Sequence, residues 1–100
     1  MNKFILISLL LANPVYAYET GSMNCEQIGQ YSAAVVHGKA QGTSYQKAMR
    51  IIKKTVPANY FIERRNLSEI VNAIYKKDWA KHLTEDGAYS SFKADCEVQQ

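Results

Sequence analysis

Residues that do chemistry are scarce in this chain of 100 residues, which holds two cysteines, two histidines, two prolines and one tryptophan. Neither His37 nor His82 stands in a His-Glu-x-x-His arrangement or beside a cysteine free to ligate, so no metal and no cofactor is expected. Ser44, Ser68, Ser90 and Ser91 lie outside any nucleophile-elbow pattern. Glu85 and Asp86 are neighbours, and neighbours on a helix do not face one another. Glu63 and Glu69 have no acid partner in sequence from which to build a glycosidase-like pair. Gly38 and Gly42 do not form a phosphate-cradling loop. An enzyme is therefore not expected. No window alternates polar and apolar residues as a strand does, and there is no repeat, low-complexity tract or internal linker. The formal net charge of +3 is spread too evenly to indicate nucleic acid.

What is present begins with an export signal. Lys3 supplies the positive charge, Phe4 to Ala12 is apolar except for Ser8, and Asn13-Pro14 ends the run. Val15-Tyr16-Ala17 places small residues for a cut after Ala17. The run is about nine residues, well short of the roughly twenty that cross a bilayer, and no second one follows, so no transmembrane segment should remain after cleavage. Ser22-Met23-Asn24 before Cys25 is not a lipobox. The expected organisation is a signal peptide over 1–17, a flexible lead-in over 18–23 and one helical domain over 24–100. The expected location is periplasmic or secreted.

In an oxidising compartment, Cys25 and Cys96 read as one disulfide joining the two ends of the domain. Closing a loop of about seventy residues stabilises by roughly 4 kcal/mol at most in the chain-entropy model. A domain of this size is marginal without such a link.

Four helices are expected from their start signals. Asn24 caps the first, with Gln27 completing a capping box and Met23 stapling onto Ile28. Cys25, Ile28, Ser32, Val35 and Val36 share a face, and Gly42 ends the helix. Thr43 is the expected cap of the second, with a face of Tyr45, Ala48, Met49 and Ile52 and a cationic end at Lys53-Lys54. Asn66, paired with Glu69, is the expected cap of the third, whose stripe is Leu67, Ile70, Val71, Ile74 and Tyr75. Thr84 caps the fourth, which buries Ala88, Phe92 and Cys96. Pro57 leaves room for a short extra helix near 57–65. An up-down-up-down four-helix bundle, all-α, puts Cys25 and Cys96 at the same end.

One surface feature stands out. Tyr60, Phe61, Arg64 and Arg65 cluster before the third helix, and Lys76, Lys77, Trp79 and Lys81 follow its end. Aromatic and arginine side chains are the usual anchors of protein interfaces. The leading expectation is a non-enzymatic protein that binds another protein, of inhibitor or immunity type. The alternatives are an acid-stress periplasmic chaperone and a binder of anionic lipid or wall polymer.

The layout from Asn24 to Cys96, with Leu67-Ser68-Glu69-Ile70-Val71 opening a helix and Phe92-x-x-x-Cys96 closing the domain, resembles small exported single-disulfide helical proteins of bacteria. That resemblance implies architecture and compartment but no activity. In outline the chain is also similar to acid-stress chaperones of the HdeA type, whose cysteines are closer in sequence. It is similar in size and export to periplasmic immunity proteins against cell-wall amidases, whose extra cysteines are absent here.

Overall fold

Asn24 and Gln27 bond reciprocally, as their spacing allows. Asn24 Oδ1 accepts from the Gln27 N–H at 2.8 Å, and Gln27 Oε1 accepts from the Asn24 N–H at 2.9 Å. In the computed structural model, which describes residues 21–99, they open helix α1, Cys25–Ala40. The expected export signal, residues 1–17, lies outside the described residues, as does the first half of the lead-in. Gly42 closes the α1 turn at φ +95, a left-handed conformation that glycine adopts without strain.

Helix α2 is Tyr45–Thr55, and its cap is Ser44 rather than the expected Thr43. Ser44 Oγ accepts from the Lys47 N–H at 3.1 Å. Thr43 is engaged elsewhere: its N–H donates to the Gly38 carbonyl at 2.9 Å, and its carbonyl accepts from the Tyr75 hydroxyl. It belongs to the turn that ends α1.

Helix α3, Phe61–Lys76, begins before the expected cap Asn66, which lies inside it and is wholly buried. No side chain caps its start. The Arg64 side chain instead reaches back to the end of α2, with Nε donating to the Val56 carbonyl at 2.7 Å and Nη2 to the Lys53 carbonyl at 2.8 Å. That contact satisfies α2 carbonyls lacking a helical partner and fixes the first turn of α3. Pro57 sits in the preceding turn, where its carbonyl accepts from the Tyr60 N–H at 2.9 Å. Residues 61–65 therefore open α3 and form no helix of their own. Helix α4 is Glu85–Gln99, with Thr84 Oγ1 accepting from the Gly87 N–H at 3.0 Å.

The result is an all-α, four-helix domain with alternating helix directions. α1 pairs with α4 and α2 with α3, while α1 also lies on α3 and joins the pairs. Cys25 and Cys96 form the disulfide, with Cα atoms 5.5 Å apart and both residues buried. At the far end of the same pair, His37 Nδ1 meets Glu85 Oε2 at 3.1 Å. Gly29 lets the two helices approach closely between these ends. A methyl group there would stand 3.0 Å from the Tyr89 carbonyl oxygen and 3.1 Å from Lys93 Cβ. The Tyr45 and Tyr75 rings meet edge to face at 5.9 Å across α2 and α3. Ile28, Ile52, Ile70, Val71 and Ile74 form the centre of the core.

Two outcomes follow from this packing. Replacing both Cys25 and Cys96 by Ser should lower unfolding free energy in urea by up to about 4 kcal/mol, because the two stand 71 positions apart in sequence. An unchanged midpoint would show that the link does not constrain the unfolded chain. Gly29→Val should cost about 2 kcal/mol or more by overpacking the α1–α4 contact, seen as a lower melting temperature of the oxidised protein. A neutral result would mean that the two helices do not approach so closely.

Candidate functional site

The groups with chemical potential lie apart from one another. His37 and Glu85 pair across the ends of α1 and α4, and His82 is exposed in the connection before α4. Among the described residues no three His, Cys, Asp or Glu side chains converge as metal ligands would. Tyr31 lines a cleft of about 160 Å³ with Val35, Gly38, Thr43, Ala48, Ile51 and Tyr75. Burial first, and then the neighbouring Tyr75 hydroxyl, push its pKa up to about 12. It therefore stays a neutral phenol at physiological pH.

The expected aromatic and basic residues form two separate groups. Tyr60, Phe61, Arg64 and Arg65 sit at the N-terminal end of α3, and Lys76, Lys77, Trp79 and Lys81 at or just past its C-terminal end. Within α3 the eleven residue steps from Arg65 to Lys76 separate the groups, about 16 Å at 1.5 Å per residue. They do not make one surface.

Several of the cationic heads are already committed. Arg64 holds the end of α2. The Arg65 guanidinium donates to Asn66 Oδ1 at 3.3 Å. Lys76 Nζ lies 4.2 Å from the centroid of the Tyr45 ring, and Lys81 Nζ lies 3.4 Å from Asp78 Oδ1. Lys77 is exposed at the C-terminal cap of α3.

Trp79 turns outward and is 61% exposed. The turn carrying it is held from within. Ala80 is wholly buried, and Lys39 Nζ donates to the carbonyls of Ile74 at 2.9 Å and Lys81 at 3.0 Å. The indole rests on Phe92, with ring centroids 5.3 Å apart. With Ser91, Ala94, Asp95 and Val98 it borders a shallow groove along α4, where Val98 is 85% exposed. Val98 was not part of the expected surface. Ala94 and Asp95 lie outside that surface too, so it is the fold that brings Val98 beside Trp79.

The larger omission is α2. Its outer side carries Lys47, Arg50 and Lys54, with Lys53 beside them, all exposed, and the helix contains no acidic residue. Among the described residues none of these cations has a carboxylate at ion-pair distance; the ion pairs are His37–Glu85, Lys81–Asp78 and Lys93–Glu97. Lys53 and Lys54 thus belong to a cationic surface as well as complementing the dipole of α2. α4, by contrast, holds Glu85, Asp86, Asp95 and Glu97 against Lys93. The outer helices thus carry opposite charge.

Among the described residues Glu63 is the one acidic residue that packing largely covers. Its Oε2 accepts from the Ser22 N–H at 2.6 Å and from the Ser22 hydroxyl at 3.0 Å, tying the described part of the lead-in to α3. Gly21, at φ +67, passes so close to this carboxylate that a side chain there would collide with it. The Ser22 N–H, chiefly, holds the Glu63 carboxyl below the usual carboxylate range. A folded-state pKa below the unfolded one contributes stability in full at neutral pH and loses it as pH falls through the depressed value. In an NMR titration the Ser22 amide resonance should move with a midpoint below the ordinary glutamate value of about 4.3. A midpoint at or above that value would dismiss the bond.

The fold thus defines a small, all-α domain closed by one disulfide, and no helix among the described residues is long and apolar enough to cross a membrane. No protein-family model, no curated protein and no solved structure matches the chain.

Proposed function

We propose that this chain is a small exported, non-enzymatic protein that holds another protein against the ridge formed by Trp79 and Phe92, in the manner of an inhibitor or immunity factor. The observation that carries the proposal is an outward-facing tryptophan fixed in place before any partner arrives. Its ring is backed by Phe92 at 5.3 Å, and its turn is held by buried Ala80 and by Lys39. A rigid aromatic loses little conformational entropy on binding, which is why such residues dominate interfaces. Export to an oxidising compartment is supported by the charge, apolar run and small residues of positions 1–17. The link between Cys25 and Cys96 fits that compartment.

Arg64 is not a suitable probe of binding, because its loss would free the end of α2. Trp79→Ala and Val98→Ser test the ridge with less risk to the fold. With oxidised protein as bait in envelope and secreted fractions, a stoichiometric partner is expected. Trp79→Ala should weaken its capture about 30-fold, the scale of an interface hot spot. Equal capture by both variants, with circular dichroism unchanged, would remove the ridge from the proposal.

A further inference from the structure

A second contact surface, independent of the Trp79 ridge, lies across the molecule on α2. Helical spacing splits this helix sharply. Ala48 and Ile52 are buried against the core, and Lys47, Arg50 and Lys54 project from the opposite side. Like charges at three- and four-residue spacing repel one another, and no carboxylate of a described residue relieves them.

Beside the C-terminal end of this row stand two aromatic side chains that the core does not cover, Tyr60 at 45% and Phe61 at 71% exposure. The bonds from Arg64 to the Lys53 and Val56 carbonyls hold this corner against the last turn of α2. Cations and exposed aromatics therefore share one edge of the domain.

We infer that the outer side of α2, with the Tyr60–Phe61 corner, docks the protein on an anionic phospholipid surface. The row of cations lies on the outer side of a helix and has no carboxylate partner among the described residues, which suits an extended field of negative charge better than a shaped acidic pocket. Aromatic rings beside such a row occupy the headgroup boundary of a bilayer. The apolar side of α2 is already used by Ala48 and Ile52, so the helix cannot lay that side in the membrane. Attachment is peripheral and mainly electrostatic, with Phe61 as the side chain that enters the interface.

The test uses oxidised protein beginning at Tyr18, so that the apolar run of residues 4–12 cannot itself hold the vesicles. The contacts described above lie within residues 21–99 and are retained. The probes are sedimented vesicles of phosphatidylglycerol mixed with phosphatidylcholine, and of phosphatidylcholine alone. Binding is expected only to the mixed vesicles and should weaken as salt is raised. The triple variant Lys47→Gln, Arg50→Gln, Lys54→Gln should reduce partitioning about a hundredfold, at roughly fivefold per cation. Phe61→Ser should reduce it several-fold and leave the salt dependence unchanged. Lys76→Gln with Lys77→Gln, at the other end of α3, should have little effect.

Unchanged circular dichroism is the check that each variant folds. Equal binding to neutral vesicles, or a triple variant that binds like the parent, would overturn the inference. So would salt-sensitive capture of an acidic protein with no vesicle binding, which would make α2 a protein-docking face. Trp79→Ala should bind vesicles normally, so the fate of the ridge proposal does not decide this one.

Discussion

The fastening of α4 to α1 is the constraint on which the rest of the structure depends. α4 buries only Ala88 and Cys96 completely, little apolar surface for a helix of 15 residues. The covalent link at one end, the close approach at Gly29 in the middle and the His37–Glu85 contact at the other hold it along its length. With α4 in place, Phe92 is in position to back the Trp79 ring. α1 has a second role on its other side, where Lys39 fixes the end of α3 and the turn that follows. The ridge therefore rests on α1 twice, once through α4 and once through Lys39.

Local signals carried most of the architecture. The Asn24–Gln27 box and the Thr84 cap act within four residues and form where the residue types require. The apolar stripe of α3 was legible because Leu67, Ile70, Val71 and Ile74 repeat at helical spacing and are all buried. The cysteine pairing agreed with the helix count, each supporting the other. The two misplaced caps share one cause. Thr43 is held by groups from α1 and α3, and the first turn of α3 is fixed by an arginine that reaches back to α2. The Tyr75 and Arg64 bonds join one helix to another, and the pattern of residues around a cap does not contain them. A buried Asn66 looks like a cap when only its neighbours are read.

The surface was harder to read than the core. Tyr60 to Arg65 and Lys76 to Lys81 look alike in composition, yet they stand at opposite ends of α3. Several of their charged heads serve the protein itself: Arg64 at a helix end, Lys76 over an aromatic ring, Lys81 beside Asp78. Sequence reveals that a cation is present and leaves open whether it is free. Burial of the apolar stripes, by contrast, follows from helical periodicity, whereas the burial of Asn66 and Glu63 and the disposition of surface charge do not.

The opposite charges of α2 and α4 have a consequence that net charge conceals. A mildly basic particle with cations along one flank and carboxylates along the other has a permanent electric moment across its width. Outside a charged boundary such a particle experiences a torque as well as a pull, within a screening length of about 8 Å at physiological salt. It turns before it touches. Rotation that brings α2 towards a negative boundary carries the carboxylates of α4, and the groove beside Trp79, away from it.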